Sequence, residues 1–319
     1  MAVYTQLSAE TLAELIANYD VGELVSAKGI AEGVSNSNWL IETSEARFIL
    51  TMYERRIELE DLPFFLDLLD HLAAQGCPVP RTIHDRDGAS FRLLDGKAVA
   101  LIEFLPGVSV DRPTEAQARS VGRVLAEMHI AAQRFGATRE NTLGPATSAQ
   151  VLADCGEVAL AAIDQQLPAT IALAREVADN WPQGLAQSII HSDLFPDNVL
   201  MRGSRVSALI DFYFSCTDAM AYDLAVTHAA WSFSSDGRTF RPAIGNALLQ
   251  GYESVRTLDN AEREALPLLA QGAALRFVSS RAQDWIDTPA DALVTRKDPM
   301  DFVRRLEFYR HDGGKVFAA

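Results

Sequence analysis

With 319 residues, 48% apolar and 22% charged, the chain has the balance of a soluble globular protein, long enough for one large domain or two joined lobes. A net charge of −15 argues against the basic face that duplex nucleic acid requires, and no apolar run reaches the length of a membrane span. Cys77, Cys155 and Cys216 lie too far apart for a disulfide framework or a zinc site, and the amino-terminal residues lack a basic stretch followed by an apolar one, so a reducing cytoplasm is expected.

In chain order, residues 9–19 read as an amphipathic helix capped by Ser8, with Leu12, Leu15, Ile16 and Tyr19 on one face. Strand-like runs follow at 23–30, 38–42 and 47–53, the last two joined by a short polar turn. A helix over 62–75 turns Phe65, Leu66, Leu69 and Leu72 inward and stops at Gly76. Runs at 91–94 and 97–104 flank Asp95-Gly96, the strongest short hairpin signal in the chain. These elements predict a five-stranded, largely antiparallel first lobe over 1–103, with Pro106-Gly107 as a hinge candidate. The second lobe, 104–319, reads as mainly helical: roughly 114–134, 148–165, 168–180, 216–233, 241–255, 261–285 and 299–310. Short strands at 188–191, 199–202 and 206–212 interrupt it.

Those three strands bracket His191-Ser192-Asp193-Leu194-Phe195-Pro196-Asp197-Asn198-Val199-Leu200, the most informative stretch of the chain. Phosphoryl transfer requires an acid that can accept a hydroxyl proton, an Asn five positions on that binds a metal, and a metal-binding Asp on a following strand pair. Asp193 and Asn198 have that spacing, and Asp211 follows 13 residues after Asn198, room for two strands and a turn. An Asp-x4-Asn pair alone could be a capped turn; the flanking apolar strands and the second Asp turn the balance toward phosphotransfer. His191 is expected to hold the loop's shape. Asp223, at the start of a helix where a carboxylate can cap, is expected to organise the loop.

The small-residue loop Gly33, Val34, Ser35, Asn36, Ser37 and Asn38 is a candidate phosphate cover, its alternative an ordinary polar turn. Glu103 and Leu105 would offer backbone groups to adenine. His129 is expected to pack in the core, since no second ligand is spaced to join it in binding a metal. Trp231 and Trp285 read as core residues that could also line a site.

HSDLFPDNVL, with LIDFY and YDLA, resembles the aminoglycoside-phosphotransferase-like small-molecule kinases. GIAEGVSNSNW, FILTMYERR, DLPFFLDLLDHLAAQGCPVP, IDFYFSCTDAMAYDLA and ALRFVSSRAQDW are most similar to the homoserine kinase branch, so the resemblance spans nearly the whole chain. It implies an α+β, two-lobed protein-kinase-like fold with the active site in a cleft between lobes. It also implies ATP as co-substrate, Mg2+ held by Asn198 and Asp211, Asp193 as base, and L-homoserine as the small-molecule partner in threonine biosynthesis. Related acceptors (choline, methylthioribose, aminoglycosides) and a nucleotide-binding pseudokinase are the alternatives. Kinases of this kind usually carry a Lys on the third strand; here Thr51 stands there, as it does in the homoserine branch, leaving Lys28, Arg55 and Arg56 as candidates for the phosphate cation. Homoserine is a zwitterion, so its carboxylate calls for an Arg; Arg276 and Arg281 are candidates, with a structural ion pair as the alternative for each.

Overall fold

The computed structural model describes residues 7–30, 36–54, 58–288 and 296–318. The chain divides into two compact units, Met1–Gly107 with Ser207–Tyr213, and Val108–Val206 with Phe214–Ala319. A contiguous boundary near residue 103 does not anticipate the return of Ser207–Tyr213 to the first unit. That segment is tied there by Leu209 N–H donating to the Pro78 carbonyl at 2.8 Å and by the hydroxyls of Tyr213 and Tyr53 at 2.8 Å.

In the first unit, α1 (Ala9–Ile16) starts where the Ser8 hydroxyl accepts from Thr11 N–H at 3.1 Å. It ends earlier than its periodicity suggests, although Tyr19 beyond it is still fully buried. β1 (Leu24–Ile30), β2 (Asn36–Thr43) and β3 (Arg47–Tyr53) form an antiparallel meander. After α2 (Leu62–Ala74) come β4 (Thr82–Ile83), β5 (Arg92–Leu94) and β6 (Lys97–Glu103). Among the described residues the sheet therefore has six strands, in the order β1-β2-β3-β6-β4 with β5 also on β6. The sixth is β4, whose two residues are too short to leave a period-2 signal.

Both faces of this sheet are covered, which explains the continuous burial of Ala98–Ile102 in β6. Val99 and Leu101 join Leu50, Met52, Trp39 and the apolar side of α1, while Ala98, Ala100 and Ile102 pack with Leu62 and Leu66 of α2. Asp95 (φ +51°) and Gly96 (φ +80°) make the turn between β5 and β6, both left-handed as a two-residue hairpin with matching twist requires. Past the end of α2, Gly76 N–H bonds to Ala73 O and Cys77 N–H to Leu72 O, both at 3.0 Å, a Schellman closure made possible by Gly76 at φ +83°.

The second unit holds α3 (Glu115–Ala132), α4 (Pro145–Cys155), α5 (Glu157–Ile163), α6 (Ala169–Asp179), β7 (Gln187–Ile190) and β8 (Val199–Arg202). β9 (Arg205–Leu209) leads into the segment assigned to the first unit. β10 (Cys216–Ala219), α7 (Met220–Trp231), α8 (Pro242–Glu253), α9 (Asn260–Asp287) and α10 (Met300–Val316) complete it. Two expected helices are corrected. Gly156, at φ +76°, splits 148–165 into α4 and α5. The expected helix 216–233 begins instead as β10, antiparallel to β7, because Cys216–Ala219 gain a backbone ladder with Gln187–Ile190 that a continuous apolar run does not reveal.

α7 is buried on every side, as befits a central helix without an amphipathic stripe. α3 and α8 approach backbone to backbone: a Cβ at Gly122 would lie 2.0 Å from Leu248 O, and one at Gly251 2.0 Å from Arg119 O. This contact sets the position of Tyr252 against α3, which matters for the site.

Candidate active site

The stretch His191–Asn198 links β7 to β8 through a single 3-10 turn at Pro196–Asn198. Its first two amides are held by one buried carboxylate: Asp223 accepts from His191 N–H and Ser192 N–H, both at 2.7 Å. Asp223 lies inside α7, which starts at Met220, and its carboxylate serves the loop. His129 Nε2 donates to the same carboxylate at 3.0 Å, and His129 Nδ1 meets the Tyr252 hydroxyl at 2.9 Å. His129 is thus fully buried, as expected, but as the middle of a polar relay from α8 through α3 to the loop. The close α3–α8 packing is what brings Tyr252 within reach. Burial would raise the Asp223 pKa; the His129 hydrogen bond, the neighbouring imidazoles of His129 and His191 and the His191 amide outweigh it and hold the carboxyl below its ordinary value.

Ser192 sits at φ +61°, a left-handed conformation uncommon outside glycine. Its hydroxyl donates to Phe214 O at 2.9 Å. Asp193 N–H donates to His191 Nδ1 at 3.3 Å, so this imidazole nitrogen is an acceptor within the loop. Asn198 Nδ2 donates to Asp193 O at 2.8 Å and lies 3.3 Å from Asp193 Oδ2, which leaves its amide oxygen as the atom a cation would take. The Trp231 indole N–H donates to Leu194 O at 2.9 Å, and Phe195 packs edge-on against Phe277 at 4.8 Å between ring centres. The Asp193 side chain keeps 19% of its surface exposed. Burial pushes its pKa above the ordinary value, against the opposing charge of Arg276 and the neighbouring His191 imidazole.

Both candidate acceptor arginines have partners within the chain. Arg276, 5% exposed, donates to the Ser192 carbonyl, reaches Ser192 Oγ at 3.2 Å, and has Nη2 3.8 Å from Asp193 Oδ1. Arg281 donates to Asp301 Oδ2 and Asp298 O, each at 2.9 Å, with its guanidinium 4.7 Å from the centre of the Phe302 ring. A cavity of about 640 Å3 in the second unit, lined by Phe233, Phe240, Phe308, Arg238 and Arg304 among others, touches none of the expected site residues.

Apart from Trp285 of α9, the remaining expected residues belong to the first unit. Asp211 is exposed and left-handed at φ +66°. Asn36, Ser37 and Asn38 open β2, whereas Gly33, Ser35, Arg55 and Arg56 lie outside the described residues. Thr51, where a strand Lys would stand, is buried, and its hydroxyl donates to Asn38 Oδ1 at 2.9 Å. Tyr213 bonds with Thr51 as well as Tyr53, so the lysine's position is filled by a hydroxyl network. Lys28 lies in β1 opposite Leu40. Lys97, at the start of β6, pairs with Glu54, which also accepts from Ser37 Oγ at 2.7 Å. Glu103 closes β6 and pairs with Arg81 Nε at 3.2 Å; Leu105 follows it, half-buried. Trp285 lies under the guanidinium of Arg296, 5.5 Å from its ring centre.

Sequence reading missed the supports of the loop: Tyr252, the polar role of His129, the indole bond of Trp231 and the bonds of Arg276 to Ser192. Each acts across a long sequence separation and carries no local motif. Among the described residues, no helix is long and apolar enough to cross a membrane, and no group of three or more His, Cys, Asp or Glu could hold a metal.

A model of the phosphotransferase enzyme family matches residues 26–258. The homoserine kinase of Gluconobacter oxydans is 48% identical over 316 residues, covering 97% of this chain and 98% of the relative. That of a Caulobacter species is 48% identical over 327 residues, covering 100% and 99%. Among solved structures, a spectinomycin phosphotransferase in complex with ADP and spectinomycin matches with a TM-score of 0.68 at 14% identity, covering 99% of both chains. A choline kinase from Cryptosporidium parvum matches with a TM-score of 0.68 at 12% identity, covering 98% of this chain and 97% of that one. At these identities the likeness is one of fold: an α+β, protein-kinase-like architecture, with six strands in place of the expected five.

Proposed function

The chain belongs to the phosphotransferase enzyme family, and on that footing we propose that it phosphorylates the hydroxyl of L-homoserine with ATP, giving O-phospho-L-homoserine and ADP. The observation that carries this reading is the 48% identity, over nearly the full length of both chains, with curated homoserine kinases. Threonine biosynthesis as the pathway and the cytoplasm as the compartment go with it.

Asp193 is the proposed base. Its partly exposed carboxylate accepts the proton of the acceptor hydroxyl as the oxygen bonds to the γ-phosphorus and the bond to ADP breaks. Positioning and electrostatics dominate such a transfer, because little covalent chemistry falls to the protein. The network around Asp223 serves that end: with its amides already committed to a buried carboxylate, the loop has little left to reorganise. Mg2+ is the proposed metal, and the donor set suits it. The Asn198 amide oxygen and the Asp211 carboxylate are hard ligands, and Mg2+ commonly takes one or two protein oxygens together with substrate phosphates. When bound it supplies neutralisation of charge on the transferring group.

The loop with Gly33, Ser35, Asn36, Ser37 and Asn38 is the proposed phosphate cover, with Glu103 and Leu105 offering backbone groups to adenine. Lys97, paired to Glu54 beside Ser37, joins Lys28, Arg55 and Arg56 as a candidate phosphate cation. Arg276 and Arg281, the candidates for the acceptor's carboxylate, each commit Nη1 to partners within the chain.

The test is ATP turnover with a panel of amino alcohols, the product identified by phosphorus NMR. L-Homoserine should be the preferred acceptor; preference for choline or a sugar would overturn the substrate. Asp193→Asn should lower turnover by about 10²- to 10⁴-fold with nucleotide binding retained. Asp211→Asn should instead abolish the Mg2+-dependent part of nucleotide affinity in calorimetry.

A further inference from the structure

We propose that Arg276 is a positioning residue of the phosphotransfer loop: it clamps the Ser192 peptide in its left-handed conformation and so aims the Asp193 carboxylate at the acceptor hydroxyl. The proposal deepens the function above and rests on its reading of Asp193 as the base.

A serine at φ +61° relaxes toward ordinary backbone unless its surroundings over-determine it. Here every polar atom of Ser192 is engaged. Its N–H is on Asp223 at 2.7 Å and its hydroxyl on Phe214 O at 2.9 Å. Its carbonyl accepts from Arg276 Nη1, which also lies 3.2 Å from its Oγ. Asp223 therefore holds the peptide that enters Ser192, and Arg276 the peptide that leaves it.

That second peptide is the one joining Ser192 to Asp193. Because a peptide unit is planar, fixing the Ser192 carbonyl also fixes the direction of the Asp193 N–H, which points to His191 Nδ1 at 3.3 Å. The Asp193 side chain then leaves from a set position. Arg276 Nη2, 3.8 Å from Asp193 Oδ1, is too distant for a hydrogen bond and near enough to bias the rotation of the carboxylate.

The clamp is itself walled in. The Arg276 guanidinium lies 5.6 Å from the centre of the Phe214 ring and 4.9 Å from that of Phe277, and Phe277 in turn packs on Phe195 of the loop. A rigid fork with several donors suits a task that combines a carbonyl, a hydroxyl and a nearby carboxylate; an ammonium on a flexible stem does not. Arg276 Nη1 is committed to Ser192 of the loop.

The experiment measures kcat and KM for L-homoserine and MgATP in Arg276→Lys, Arg276→Met, Ser192→Gly, the Ser192→Gly/Arg276→Met double variant and Asp193→Asn. Arg276→Met should lose about 10²-fold in kcat, the scale of a misplaced catalytic group, with KM for L-homoserine little changed. Arg276→Lys should fall between it and the unmodified enzyme. Glycine adopts positive φ freely, so the Arg276→Met loss should be smaller on the Ser192→Gly background; this comparison holds even if Arg276→Met alone folds poorly. A rise in KM for L-homoserine at unchanged kcat would make Arg276 a substrate ligand and overturn the clamp, as would equal losses on both backgrounds. Unmodified turnover in Asp193→Asn would remove the base assignment and the proposal with it, whereas unmodified turnover in Arg276→Met beside an inactive Asp193→Asn removes the clamp alone.

Discussion

Ser192, next to the proposed base, and Asp211, a proposed metal ligand, both sit on left-handed backbone, at φ +61° and +66°, yet the chain secures them differently. Ser192 is buried, and charged groups hold it from both sides: the Asp223 carboxylate on its amide and the Arg276 guanidinium on its carbonyl. Asp211 is exposed, and its neighbours anchor the segment: Phe212 is buried at 2% exposure, Leu209 is tied to Pro78, and the Tyr213 hydroxyl meets that of Tyr53. The difference follows from dielectric. Inside the second unit a paired charge makes a strong, directional restraint, while at an exposed position water competes for polar partners and buried neighbours do more of the anchoring.

The sharpest break in this comparison is Asp223→Ala. It strands two buried amides and a buried imidazole, so denaturant unfolding should show a loss of about 3–5 kcal/mol, with turnover reduced by about 10²-fold or more. A loss below about 1 kcal/mol would mean the carboxylate is no keystone of the loop.

A second contrast between the units lies in their pH response. His228 of α7 is buried, and burial lowers its pKa from 6.5 to about 3. The unfolded chain then binds a proton that the folded one refuses, so stability is lost as pH falls below 6.5. Between pH 6.5 and 5 this amounts to about 2 kcal/mol. His84 of the first unit has its pKa raised, chiefly by the hydrogen bond to Asp70, so its smaller, solvent-screened contribution is present at low pH and fades as pH rises. Urea midpoints at pH 7 and 5 should draw closer in His228→Gln and move further apart in His84→Gln; the reverse pattern would contradict both assignments.

The mildest perturbation is Tyr213→Phe. It removes one side of the Tyr53 pair and the bond to Thr51, and should lower stability by about 1 kcal/mol. No change in the unfolding midpoint would show that the Tyr213 hydroxyl does not anchor the Asp211 segment.

Much of this protein is written in local pattern. The β3–β6 core strands, the Asp95-Gly96 turn and the Gly76 helix stop could be read from period and turn chemistry, because those features depend on residues within a few positions of one another. The Asp193-x4-Asn198 spacing belongs to the same class, since one loop carries both groups. Where neighbouring segments decided the outcome, local pattern misled: Cys216–Ala219 looked helical until paired with β7, and β4 was too short to register.

The sequence by itself determined the type of chemistry, through residue spacing in one loop, and the α+β class, through the change from period-2 to helical pattern. Only the tertiary structure decided how that loop is held. His129 reaches Asp223 across 94 residues and Arg276 reaches Ser192 across 84, separations at which spacing carries no information. Thr51 shows the same division in one side chain. Its departure from lysine is legible in the sequence, but that it joins a buried hydroxyl network with Asn38 and Tyr213 follows only once β2, β3 and the returning segment 207–213 are packed together.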